Sequence, residues 1–149
     1  MNAPFHILRD GYGRSFEYLR LSLTDVCNFR CAYCLPDGYR KLQGAPSNLC
    51  VDEIRRLVTA FAQMGLWKVR LTGGEPSLRT ELLEIARTVA AVPGTRTLAM
   101  TTNGYRLAER AADYAQAGIS ALNISVDSLD PARFAAITGH DRLEEILKG

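Results

Sequence analysis

The chain has 149 residues, 47% of them hydrophobic and 23% charged, with a formal net charge of +2. These values describe one ordinary globular domain, long enough for a real core, and exclude a polyanion-coating role. No stretch approaches the roughly 20 apolar residues of a membrane span, and the opening MNAPFHILRDGYGRSF has no apolar run of a secretory signal. A cytoplasmic protein with no nucleic-acid and no membrane partner is therefore expected. Arginine outnumbers lysine fifteen to three. Genome composition explains such a bias, and a grip on phosphates by guanidinium forks is the functional alternative.

In chain order, Leu19 to Leu23 reads as the first strand, with Leu19, Leu21 and Leu23 on one face. The segment after it is Cys27-Asn28-Phe29-Arg30-Cys31-Ala32-Tyr33-Cys34, three of the four cysteines spaced C-x3-C-x2-C. Residues 35–48 are rich in Gly and Pro and read as loop. Asp52 to Met64 carries Ile54, Leu57, Val58, Phe61 and Met64 at helical spacing, and Gly65 ends it. Trp67 to Leu71 is a second strand, ending in Thr72-Gly73-Gly74-Glu75-Pro76. A helix from Thr80 presents Leu82, Ile85, Ala86, Val89 and Ala90 until Pro93-Gly94 stops it. Thr97 to Thr101 is the third strand, followed by Thr102-Asn103-Gly104 and a helix over Leu107 to Ala117. Ala121 to Val126 is the fourth strand, ending in Asp127. Asp130-Pro131 starts a helix, and Asp141 to Lys148 is a further helical segment.

Strands alternating with helices at this spacing predict α/β architecture: about four parallel β/α units of an incomplete, TIM-like barrel. Each polar motif falls just after a strand, on the C-terminal rim where such folds place their chemistry. Four units do not close a barrel. The end at Gly149, without a final strand, favours part of a longer chain.

Three cysteines in one loop can ligate three irons of a cubane cluster and leave the fourth open to a small molecule, whereas electron-transfer clusters usually use four cysteines. Zinc is the rival. A structural zinc needs four ligands, and His6, His140 and Cys50 are the spare candidates, none at motif spacing. Cys50 reads instead as a small half-buried residue before a helix. Phe29 and Tyr33 suit packing around sulfur. In Gly73-Gly74-Glu75 the missing side chains could be turn chemistry, or could let a ligand approach the backbone while Glu75 accepts from an ammonium group. Asn103-Gly104 and Asn123 to Asp127 are individually weak turn and cap signals.

Arg20 lies between Leu19 and Leu21, and Arg70 between Val69 and Leu71. Because strand side chains alternate, leucines packed on helices would send both arginines to the inner face. Surface or snorkelling arginine is the plain alternative. A buried cation there needs an anion, and a substrate phosphate would serve.

The cysteine triplet followed by Gly-Gly-Glu-Pro resembles the radical S-adenosylmethionine (SAM) enzymes. LRLSLTDVCNFRCAYCLPDGY, VDEIRR, KVRLTGGEPSLR, TTNGYRL and NISVDSLD are similar to the GTP 3′,8-cyclases of molybdenum cofactor biosynthesis, from about Tyr18 onward. The resemblance implies a radical SAM core over residues 1–149 and a 4Fe–4S cluster held by Cys27, Cys31 and Cys34. It implies SAM contacts from Tyr33, Gly74 and Ser125, and GTP contacts from Arg20, Arg70 and Thr101. It implies a lyase that generates a 5′-deoxyadenosyl radical, takes hydrogen from the ribose C3′ of GTP and joins that carbon to guanine C8. The product is (8S)-3′,8-cyclo-7,8-dihydroguanosine 5′-triphosphate. A reducing electron donor such as a small flavoprotein, and a possible homodimer, belong to the same expectation.

The family's second cluster, bound by three cysteines in its C-terminal half, and its Gly-Gly tail have no counterpart here: no cysteine follows Cys50. A chain of this length is expected not to complete the cyclisation. The rivals are another radical SAM enzyme, with no use for Arg20 and Arg70, and a non-catalytic metal-binding remnant.

Overall fold

Hydrophobic periods of two and of 3.6 alternate along the chain. The computed structural model, which describes residues 7–41, 43–44 and 46–149, forms each predicted strand and helix. His6, and Leu42 and Ala45 of the predicted loop, lie outside the described residues. The elements are β1 (Tyr18–Ser22), α1 (Val51–Gln63), β2 (Lys68–Thr72), α2 (Leu82–Ala90), β3 (Thr97–Thr102), α3 (Leu107–Gln116), β4 (Ala121–Ile124), α4 (Pro131–Thr138) and α5 (Leu143–Lys148). The strands form one parallel sheet in the order β1-β2-β3-β4. This is the expected partial (β/α) barrel of four units.

Register explains the core. Leu21, Leu71, Met100 and Leu122 stand side by side across the four strands. The first three are buried with Ile54 and Val58 of α1, Ile85 and Val89 of α2, and Leu107 and Tyr114 of α3. Leu122 on the edge strand keeps 38% of its surface exposed, because no helix among the described residues covers it. A second, smaller core joins Phe29 to Phe134, Leu143 and Ile146, with Cys27, Cys31, Tyr105, Ile124 and Val126 packed against it.

Three local features differ from the sequence expectation. The helix expected from Thr80 is preceded by a separate 3₁₀ turn, Pro76–Leu78, whose Ser77 N–H is capped by the Glu75 side chain, and α2 itself begins at Leu82. The fourth strand stops at Ile124, two residues early, where Ser125 N–H turns to the Thr102 carbonyl at 2.9 Å. Cys50 is exposed rather than half-buried. It sits just before α1 with its N–H donated to the Glu53 carboxylate at 2.8 Å, which satisfies one of the helix's free donors.

Candidate functional site

The cysteine loop leaves β1 and is stitched at once to the end of β2. Leu23 N–H donates to Thr72 O at 2.9 Å, Gly74 N–H to Thr24 O at 2.7 Å and Glu75 N–H to Val26 O at 2.7 Å. The two strand ends thus continue their pairing beyond the sheet, up to the residue before Cys27. This contact explains the glycine pair. A Cβ on Gly73 would stand 2.4 Å from Thr24 O, and one on Gly74 2.3 Å from Val26 O. The close approach expected of a ligand is made in this structure by the chain's own backbone.

Glu75 likewise finds its partners within the chain. It is buried, at 1% exposure. Its carboxylate accepts from Thr102 Oγ1 at 2.7 Å, Ser77 N at 3.0 Å and Asn103 N at 2.7 Å. A buried carboxylate requires such partners, and these tie the rim of β2 to that of β3. Asn103 carries the link onward: its Nδ2 donates to Asn28 Oδ1, beside Cys27, at 2.8 Å. Tyr33 Oη donates to Asp127 Oδ2 at 2.9 Å, fastening the loop's far end beyond β4. Partial desolvation, then the bond to Asp127, hold the Tyr33 hydroxyl well above the usual tyrosine range. Ser125 is exposed on the same rim. Tyr33 thus belongs to the cysteine loop itself, while Gly74 follows β2 and Ser125 follows β4 at the C-terminal ends of the strands.

Cys27, Cys31 and Cys34 are free thiols, the first two half-buried and the third exposed. Burial is the main cause that raises the Cys27 and Cys31 thiols above their ordinary value. Negative charge on Glu75 and Cys34 adds to it at Cys27, and on Asp127, Cys27 and Cys34 at Cys31. Thiolates at these positions would repel one another, and cations among them would offset that repulsion. Phe29 N–H lies 3.5 Å from Cys27 Sγ, and Cys34 N–H closes a turn on Cys31 O at 2.9 Å. Among the described residues no three His, Cys, Asp or Glu side chains converge on a single ion. The donor set fits a cluster, whose ligands attach to separate irons.

The face of the sheet turned away from the helices carries Arg20 directly opposite Arg70. Arg70 Nε donates to Tyr18 Oη at 2.6 Å and Nη1 to Thr101 Oγ1 at 2.9 Å. Arg20 is exposed and Arg70 half-buried, so this face is open rather than a dry interior. Lys68, two residues before Arg70 and therefore on the same face, holds its ammonium 5.4 Å from the Tyr18 ring. Sequence reasoning passed over Lys68, though the strand alternation that found Arg70 also finds it. No ion pair among the described residues involves Arg20, Lys68 or Arg70.

Arg79 was also missed. Its buried guanidinium donates to Leu23 O at 3.0 Å and Leu49 O at 2.9 Å and pairs with Glu81, locking the base of the cysteine loop. Its position just after Gly-Gly-Glu-Pro carries no periodic signal. A cavity of about 530 Å³ between Glu17, Trp67 and Arg96 lies at the other end of the strands and is lined by none of these residues.

The radical SAM superfamily profile matches residues 21–149. The chain belongs to the radical SAM superfamily. Its cofactors are those of the family, a 4Fe–4S cluster and SAM. It is 63% identical over 142 residues to the GTP 3′,8-cyclase of Stenotrophomonas maltophilia K279a, covering 95% of this chain and 43% of that protein. It is 59% identical over 145 residues to the same enzyme of Tolumonas auensis, covering 97% and 43%. The chain thus spans less than half the length of these curated relatives. Among solved structures, SuiB of Streptococcus suis bound to S-adenosylmethionine superposes with a TM-score of 0.71 at 17% identity, over 89% of this chain and 30% of that one. BtrN in complex with AdoMet and 2-DOIA gives 0.60 at 17%, over 83% and 51%. At these identities the likeness is one of fold. No helix among the described residues is long and apolar enough to cross a membrane.

Proposed function

We propose that this chain carries the cofactor-binding part of a GTP 3′,8-cyclase, a radical SAM lyase of molybdenum cofactor biosynthesis. Cys27, Cys31 and Cys34 would hold the cluster, with Tyr33, Gly74 and Ser125 lining the SAM position on the rim. Arg20, Arg70 and Thr101 would hold GTP on the inner face, with Lys68 beside them. When bound, the reduced cluster and SAM supply a 5′-deoxyadenosyl radical that removes a hydrogen from the substrate. The protein's own groups bind the triphosphate, orient the ribose towards the rim and keep the cysteine loop in register with β2 and β3.

One observation carries the substrate class. Arg20, Lys68 and Arg70 lie on one open face with no carboxylate partner among the described residues, and Arg70 is pre-oriented by Tyr18 and Thr101. Such a group favours a polyanion, and guanidinium forks match phosphate oxygens in shape as well as charge. The relatives' shared name, GTP 3′,8-cyclase, supports GTP among phosphorylated ligands. A soluble cytoplasmic enzyme served by a reducing donor such as a small flavoprotein, able to form a homodimer, belongs to the same proposal.

Calorimetry of GTP with this chain tests it. Arg70→Ala should weaken binding about tenfold or more, since a hydrogen bond to a charged group contributes roughly 1.5–3 kcal/mol. GTP binding that is unchanged in both Arg20→Ala and Arg70→Ala would remove the substrate assignment.

A further inference from the structure

The cysteine loop is held from beneath by a turn from the far end of the chain. At the end of α4, the Ile137 carbonyl accepts the Ala32 N–H at 2.9 Å and the Thr138 carbonyl accepts the Arg30 N–H at 3.0 Å. The last carbonyls of a helix have no partner within it, and here two of them are given to the loop between the cysteines. Gly139 stops α4 with φ of 72°. A Cβ there would lie 3.4 Å from Arg30 Cβ, so the turn and the loop are in close contact. Phe29, midway between Cys27 and Cys31, is gripped on two sides. Phe134 meets it edge-on at 6.3 Å, and the His140 ring stacks on it at 5.0 Å with planes 22° apart.

His140 Nε2 is buried without a hydrogen-bond partner among the described residues, and a buried polar atom left unpaired is destabilising. The contact the imidazole makes with the loop is through its face, stacked on Phe29. We propose that the Thr138–Gly139–His140 turn is a clamp that pre-positions the three-cysteine loop, with His140 a positioning residue acting through Phe29. Fixing the loop before the metal arrives removes part of the ordering cost that cluster binding would otherwise bear. The inference rests on the family's cluster loop and is independent of which substrate the inner face takes.

Amide hydrogen exchange on the metal-free chain tests it. In the unsubstituted chain the Arg30 and Ala32 amides should be protected. His140→Ala should speed their exchange at least about tenfold while the Leu71 and Met100 amides of the sheet stay unchanged. His140→Phe, which keeps a flat ring, should restore protection. After anaerobic reconstitution, His140→Ala should also alter the change that SAM produces in the reduced cluster's paramagnetic resonance spectrum, with His140→Phe again close to the unsubstituted chain. Unprotected Arg30 and Ala32 amides in the unsubstituted chain would overturn the clamp. So would unchanged exchange in His140→Ala, or an equal rise at Leu71 and Met100. Failure of GTP to bind would leave these outcomes as they are.

Discussion

The main core joins β1 to β3 with the helices α1, α2 and α3 that follow them, so most of its contacts form between neighbouring β/α units. The small core joins Phe29, in the loop after β1, to Phe134, Leu143 and Ile146 near the other end of the chain. The first core makes the sheet. The second lies under the cysteines and exists only once the sheet has brought the two ends together. Stability of the fold and readiness of the cofactor loop therefore rest on different residues, and the loop has the less redundant support, with four buried side chains against eighteen among the described residues.

The sharpest way to break this comparison is a pair of truncations. Leu71→Ala empties a fully buried position in the main core and should cost about 2–5 kcal/mol. Urea unfolding should show it as a global loss of sheet. Phe134→Ala removes an equally buried ring from the small core. It should open residues 28–34 and 138–146 to hydrogen exchange and lower iron uptake, while the amides of β2 and β3 keep their protection. If the sheet melts with it, the two cores are one cooperative unit.

Gly74→Ala probes the seam that joins loop to sheet. The new Cβ would fall 2.3 Å from Val26 O, against rigid backbone. The seam must move apart, at a cost of about 1–3 kcal/mol, and iron loading should fall more than the unfolding midpoint does. A greater loss of stability than of loading would place the seam with the main core.

Alkaline pH gives the smallest effect and separates the cores by titration. Burial raises the Cys27 and Cys31 thiols above the ordinary 9.0, and burial raises the Tyr114 hydroxyl of the main core above 10.0. For groups raised in the fold, the protonated form is favoured there. Their contribution is full below the ordinary value and is lost as pH rises through the folded one. The metal-free chain should lose stability above about pH 9 through the cysteines, and further above about pH 10 through Tyr114. Cys27→Ser should flatten the first step and Tyr114→Phe the second, read from urea midpoints across that range.

Much of the site was legible from spacing. Leu19, Leu21, Val69 and Leu71 alternate with Arg20 and Arg70, and that alone put the arginines on the face away from the helices. The triplet Cys27, Cys31, Cys34 named its own chemistry. Glu75 stayed open between turn and ligand, because nothing local reveals that Thr102, Ser77 and Asn103 would converge on its carboxylate. Arg79 and His140 went unassigned for the same reason: their partners Leu23, Leu49 and Phe29 are distant in the chain.

Periodicity reports which side of an element is apolar, because the repeat of a strand or helix is a local property of the backbone. The four β/α units, their burial faces and the cysteine loop were therefore determined by the sequence itself. Tertiary structure decided why Gly73 and Gly74 lack side chains, what Glu75 holds and how the end of α4 supports the cysteines. Each depends on a hydrogen bond or contact between residues far apart in the chain. Such partners are fixed only when register and packing bring the strand ends onto one rim.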